Sequence, residues 1–170
     1  TVNNSELRIR YNGNQSGTHG GTRMAGRKYR YEFNQNGIDC MMVRMIYFVH
    51  DVTNEQGAFC VVPGTHKTNL PCPYGHNPDE EPGMIGLDVK AGDAILFTEN
   101  LRHGGRRWTG EEPRRTAFIR YCTSYASYSP GAAPIEEYRD RIPEDLYELK
   151  LTAGFQHRKK MVQRLLDGEG

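Results

Sequence analysis

Apolar residues recur through the first three-quarters of the chain in short runs, closed by Gly, Pro, Asn or Asp. Leu7-Arg8-Ile9-Arg10-Tyr11 alternates and predicts a half-exposed strand. From Ile38 to Val49 only Asp39 and Arg44 interrupt an apolar stretch, and its β-branched and aromatic content predicts one long strand. The Asn36-Gly37 pair ahead of it is a hairpin-turn signal. Ala58 to Val62 reads as a buried strand that Pro63-Gly64 ends, and Leu87-Asp88-Val89 as a shorter one. Ala94 to Phe97 follows a Gly92-Asp93 turn, and Thr116 to Tyr121 makes a further strand. Strands at a spacing of roughly ten residues, parted by Gly/Pro turns, predict a mainly β sandwich or jelly roll.

Beyond Tyr121 the pattern changes. Cys122 to Ala133 is rich in Ser, Tyr, Gly and Pro and predicts irregular chain. A short helix is expected from Pro134 to Tyr138. A second is expected after Pro143, where acids fill the first turn. Phe155, Met161, Val162, Leu165 and Leu166, with basic residues between them, predict a C-terminal amphipathic helix. No repeat or second hydrophobic unit is visible, so residues 1–170 are expected to form a single domain with helices over 134–168.

Composition narrows the partners. The 170 residues carry a formal charge of +1, which offers no field for nucleic acid or a membrane surface. Cys40, Cys60, Cys72 and Cys122 lie far apart without a C-x-x-C pair, which argues against structural zinc. Three of them sit in apolar runs and read as buried free thiols, favouring a reducing, cytoplasmic setting. No apolar run reaches the length of a membrane span.

Candidate chemistry gathers between Gly92 and Tyr121. His103 stands where the first strand ends, and Arg114 and Arg115 where the second begins. A hairpin brings these ends close, setting an imidazole that can bind a metal beside a guanidinium that can fork onto a carboxylate. Upstream, His19 is followed by Gly20 and Gly21, and glycines let another group approach the backbone. Arg23, Arg27, Lys28 and Arg30 form a basic stretch that either steers an anion or stays solvated. Residues 68–86, with Pro71, Pro73, Pro78 and Pro82, form a polar excursion that reads as a lid or a surface loop.

Three stretches together resemble the phytanoyl-CoA dioxygenase family of iron(II)/2-oxoglutarate oxygenases. Asp51-Val52 through Gly57 to Val62-Pro63-Gly64-Thr65-His66-Lys67 is similar to that family's turn and strand. Gly92-Asp93 leads to His103-Gly104, and Arg114 follows His103 by eleven residues, 114 minus 103. The resemblance spans residues 17–125 and implies a double-stranded β-helix, the cupin-like jelly roll. It implies iron(II), 2-oxoglutarate and O2 as reactants and a small molecule as the substrate partner. It makes His19 and His103 the metal ligands and Arg114 the anchor of the co-substrate carboxylate, helped by Thr98 or Thr116. His50 and His66 are turn residues by the same comparison. Arg115 competes with Arg114. Strand alternation puts Arg115 with Ala117 and Ile119 on a packing face, and Arg114 with Thr116 and Phe118 on the other.

One departure stands out. The family's first ligand motif is His-x-Asp; here it reads His19-Gly20-Gly21. Gly21 opens a coordination position and removes a negative charge. A halide can occupy the position, as in related chloride-using halogenases. A water or another carboxylate can replace the lost group, with Asp39 or Asp51 as donors. Otherwise the chain is a non-catalytic binding relative. A cupin-like enzyme that does without 2-oxoglutarate is a further reading. Neutral imidazoles are needed, so metal binding should weaken below a pH of about 6.5. Relatives carry further elements ahead of the first ligand, so this chain is expected to lack that region and to leave a sheet edge that could associate.

Overall fold

A computed structural model describes residues 1–20, 29–68, 72–123, 135–150, 163–164 and 166–168. Ten strands are named here in chain order: β1 (Val2–Arg10), β2 (Ser16–His19), β3 (Tyr31–Asn34), β4 (Gly37–Cys40), β5 (Met42–Phe48), β6 (Phe59–Val61), β7 (Ile85–Gly86), β8 (Ala94–Thr98), β9 (His103–Gly105) and β10 (Arg114–Cys122). Two four-stranded antiparallel sheets form, in the orders β1-β10-β5-β8 and β2-β9-β6-β7. The chain passes from one sheet to the other at β1 to β2, β5 to β6, and at each step from β7 through β10, which is the winding of a jelly roll. No described helix is long and apolar enough to cross a membrane.

The apolar run over Ile38 to Val49 is two strands rather than one. Its first part, β4, folds back on β3 in a hairpin of its own, with Asn34 opposite Gly37. The remainder, β5, leaves at Met41 and enters the larger sheet between β10 and β8. Periodicity alone could not show the break, because apolar residues continue across it.

In β5 alternate residues Met42, Arg44, Ile46 and Phe48 are buried, and in β10 Arg114, Thr116 and Phe118. The core layer between the sheets holds Ile46, Phe48, Phe118 and Phe97 from the larger sheet with Phe59 and Val61 from the smaller. On β1 the sides are reversed from simple expectation. Leu7 and Ile9 are 65% and 46% exposed, whereas Arg8 and Arg10 line an internal cleft.

The four cysteines are free thiols; Cys60 and Cys122 are buried and Cys40 half-buried. After β10, a 3-10 turn over Ile135–Arg141 leads to the helix α1 (Glu144–Lys150), which starts directly after Pro143. The helix expected over Phe155 to Leu166 lies almost wholly outside the described residues.

Candidate metal centre and its cleft

Strand pairing brings the two histidines together. His19 ends β2, His103 begins β9, and the two are direct cross-strand partners. Their rings lie 4.1 Å apart. Gly20 makes the approach possible. It takes φ +77, and a Cβ there would collide with the carbonyl oxygen of Leu101.

The His103 ring packs between Phe59 and Phe97, with centroids at 5.7 and 4.7 Å. Its Nδ1 is 2.6 Å from the Leu101 carbonyl oxygen, which fixes Nδ1 as the protonated nitrogen. Nε2 is then an acceptor, and it is buried without a hydrogen-bond partner among the described residues. His19 Nδ1 likewise lies 3.1 Å from a backbone carbonyl oxygen, that of Gly17. A ring that donates from one nitrogen to a backbone carbonyl and keeps the other bare is the usual posture of a metal ligand. Burial, with His19 nearby, pushes the His103 pKa down to about 3, and burial lowers that of His19 as well. Protons therefore compete for these rings at a lower pH than the ordinary histidine value of about 6.5.

The cleft beside the two rings is lined across from them by Arg8, Arg10, Arg44, Arg114, Thr116 and Phe118. Arg114 is 4% exposed. Its Nη1 donates to the Gly57 carbonyl at 2.7 Å, while Nε is buried with no partner among the described residues. Burial, then the neighbouring Arg10, lowers its pKa to about 10, so it stays charged. Arg10 donates to Ser16 Oγ and keeps Nη1 buried with no partner among the described residues. These unmet donors are suited to an anion.

Other expected residues fall elsewhere. Thr98 does not line the cleft; it alternates with inward Phe97, and its hydroxyl oxygen accepts from the Asn100 backbone. Arg115 is exposed, and its backbone N–H donates to His50 Nε2. His66 packs edge-on against Tyr31, 4.7 Å away. Gly21 lies outside the described residues, as do the basic positions from Arg23 to Lys28. Neither aspartate considered as a substitute ligand reaches the cleft: Asp39 pairs with Arg30 on the hairpin, and exposed Asp51 with Lys90.

The excursion over residues 68–86 is clasped to the centre. The His76 carbonyl accepts from the Thr18 backbone N–H at 2.7 Å, and His76 Nδ1 lies 2.7 Å from the Thr18 carbonyl. Arg102, next to His103, binds Glu81 at 2.7 Å and the Gly75 carbonyl at 2.5 Å. These bonds anchor the described part of the excursion beside β2.

The profile of the phytanoyl-CoA dioxygenase family matches residues 15–116, which include both histidines and Arg114. The chain belongs to the phytanoyl-CoA dioxygenase family. Dioxygenase af480 of Aspergillus fumigatus is 26% identical over 113 residues, covering 65% of this chain and 34% of that protein. Among solved structures, HygX from Streptomyces hygroscopicus with nickel and 2-oxoglutarate bound superposes with a TM-score of 0.65 at 23% identity. That match covers 80% of this chain and 64% of HygX. EctD from S. alaskensis, with 2-oxoglutarate and 5-hydroxyectoine, gives a TM-score of 0.54 at 25% identity, covering 74% and 45%. The chain thus spans about a third of the curated relative it matches and under two-thirds of these structures.

Against this family's His-x-Asp pattern, the structure brings in a carboxylate that the motif comparison missed. Glu99 follows β8 directly and is 4% exposed. A carboxylate oxygen of Glu99 and one ring nitrogen each of His19 and His103 lie within 4.8 Å of one another. Glu99 Oε2 accepts from Arg44 Nε at 3.0 Å and Arg120 Nε at 3.1 Å. Burial raises the Glu99 pKa to about 7, against the opposing charge of Arg8. The available signal was alternation: if Phe97 points inward, so does Glu99 two residues on.

Proposed function

We propose that this chain carries the catalytic core of an iron(II)/2-oxoglutarate-dependent dioxygenase that hydroxylates a C–H bond of a small molecule. The observation that carries the reading is the buried Nε2 of His103, unpartnered among the described residues, beside the His19 ring, in a cleft whose far wall carries guanidinium donors that no described residue meets. Family membership supports it, as does a relative named a dioxygenase. EctD with bound 2-oxoglutarate supports the co-substrate.

The residues fit the absent groups. His19 and His103 would hold the iron, their Nδ1 bonds to Gly17 and Leu101 holding each ring in orientation. Arg114 would anchor the distal carboxylate of 2-oxoglutarate, its fork restrained by the Gly57 carbonyl, with the Thr116 hydroxyl beside it in the cleft. Phe59 and Phe97 wall the metal side and exclude water. Bound iron and 2-oxoglutarate supply the oxidant. The balanced change is R–H + O2 + 2-oxoglutarate giving R–OH + succinate + CO2, with the two O2 oxygens divided between alcohol and succinate.

The test is succinate release from 2-oxoglutarate with iron(II) under air. Turnover above the protein-free background, lost in His103→Ala, is expected. No turnover with or without chloride overturns the reading. Gly21 favours one second reading, a chloride-using halogenase, for which turnover of substrate to a chlorinated product would require chloride.

A further inference from the structure

We infer that Glu99 is the third protein ligand of the metal, replacing, from the turn after β8, the carboxylate that is absent at Gly21. The inference rests on the reading of His19 and His103 as the imidazole ligands.

Four observations converge on it. Among the described residues, His19, Glu99 and His103 form the one group of three such side chains whose ligand atoms cluster within 4.8 Å. A first-row ion binding at about 2.1 Å keeps neighbouring ligands roughly 3 Å apart, so small side-chain movements close the set. The Nε2 of His103 is buried and, among the described residues, unmatched at that place. Both guanidinium bonds, from Arg44 and Arg120, fall on Oε2 of Glu99 and on neither occasion on Oε1. The carboxylate is therefore held through one oxygen, as outer partners commonly orient a ligating carboxylate. Finally, the other carboxylates considered, Asp39 and Asp51, are committed to cations away from the cleft.

The rival explanation is that Glu99 is only a counter-ion for two arginines on neighbouring strands. That role needs a negative charge near β5 and β10, but it does not need the charge to sit with two imidazoles. With Glu99 as ligand, the protein supplies two nitrogens and one oxygen and leaves three positions on an octahedral ion. The vacancy that Gly21 would offer a halide is then filled. Hydroxylation follows as the outcome, and chloride has no special place.

Manganese(II) is the probe, since it is stable in air and its electron paramagnetic resonance reports its ligands. Wild type, Glu99→Gln, Glu99→Asp and His103→Ala would be titrated, with thermal melting as the check on folding. We expect Glu99→Gln to weaken manganese binding by more than about 100-fold, beyond the 10- to 100-fold typical of outer-shell changes. Its spectrum should respond to added chloride, and that of wild type should not. Unchanged affinity and spectrum in a folded Glu99→Gln protein, with binding lost in His103→Ala, overturns the Glu99 assignment and leaves the histidine centre standing. Binding unchanged in His103→Ala overturns the centre itself. Should the Glu99 variants fail to fold, anomalous diffraction from the wild-type chain with manganese decides. A Glu99 oxygen at about 2.2 Å from the ion supports the assignment, and one beyond hydrogen-bond distance overturns it.

Discussion

The two faces of the larger sheet are built in opposite senses. The inner face presents Arg8, Arg10, Arg44, Arg114 and Thr116 among Ile46, Phe48 and Phe118. The outer face presents Leu7, Ile9, Tyr47 and Leu96, all exposed. In an ordinary sandwich the charges face water and the aliphatic side chains face in. Here burial of guanidinium groups costs desolvation free energy, which Glu99, the Gly57 carbonyl and the Phe118 ring partly offset. A face that tolerates so many buried cations is arranged around what enters the cleft rather than around stability. The contrast teaches that hydrophobic alternation locates strands reliably and names their inner side poorly where a site intervenes.

The contrast can be strained by substitution. The largest effect is expected inside. Arg44→Ala leaves Glu99 with one guanidinium fewer in a buried setting and should destabilise the fold by about 3–5 kcal/mol, read from denaturant unfolding. A loss under 1 kcal/mol would mean that the inner charges are more solvated than their burial implies. Next comes a neighbouring pair on β10. Arg114→Ala should weaken 2-oxoglutarate binding by roughly 30-fold or more, the effect of removing one partner from a buried charge pair at about 2 kcal/mol or above. Arg115→Ala, on the exposed face, should change it less than twofold. Equal losses in calorimetric titration would erase the distinction between the faces. The smallest effect belongs outside: Leu96→Ser, at a residue 60% exposed, should shift stability by no more than about 0.5 kcal/mol. A larger loss in thermal melting would show that the outer face is covered in solution.

Much of this was legible in the chain. Turn signals and alternation placed the strands at Ala58, Ala94 and Thr116, and parity put Arg114 and Arg115 on opposite faces but took the Arg115 side for the packing one, whereas Arg115 is exposed and the core lies on the side of Arg114, Thr116 and Phe118. The cross-strand meeting of His19 and His103 was expected from the family resemblance, since 84 residues part them (103 minus 19) and local pattern carries no such information. Two features were not legible. The apolar stretch after Ile38 hid a change of sheet, because a break in pairing needs no break in hydrophobicity. Glu99 lay hidden because it belongs to the second histidine's stretch, four residues before His103 (103 minus 99), and not to the His-x-Gly position whose carboxylate is missing.

One modest contact bears on how the molecule lives among other chains. Strand β2 is the last in its sheet, and a bare last strand invites a foreign segment to zip alongside it. His76 answers both main-chain groups of Thr18, the residue before His19. The rim nearest the candidate metal is thereby buttoned shut at that residue, and an intruding peptide would have to undo the button before it could disturb the histidine next door.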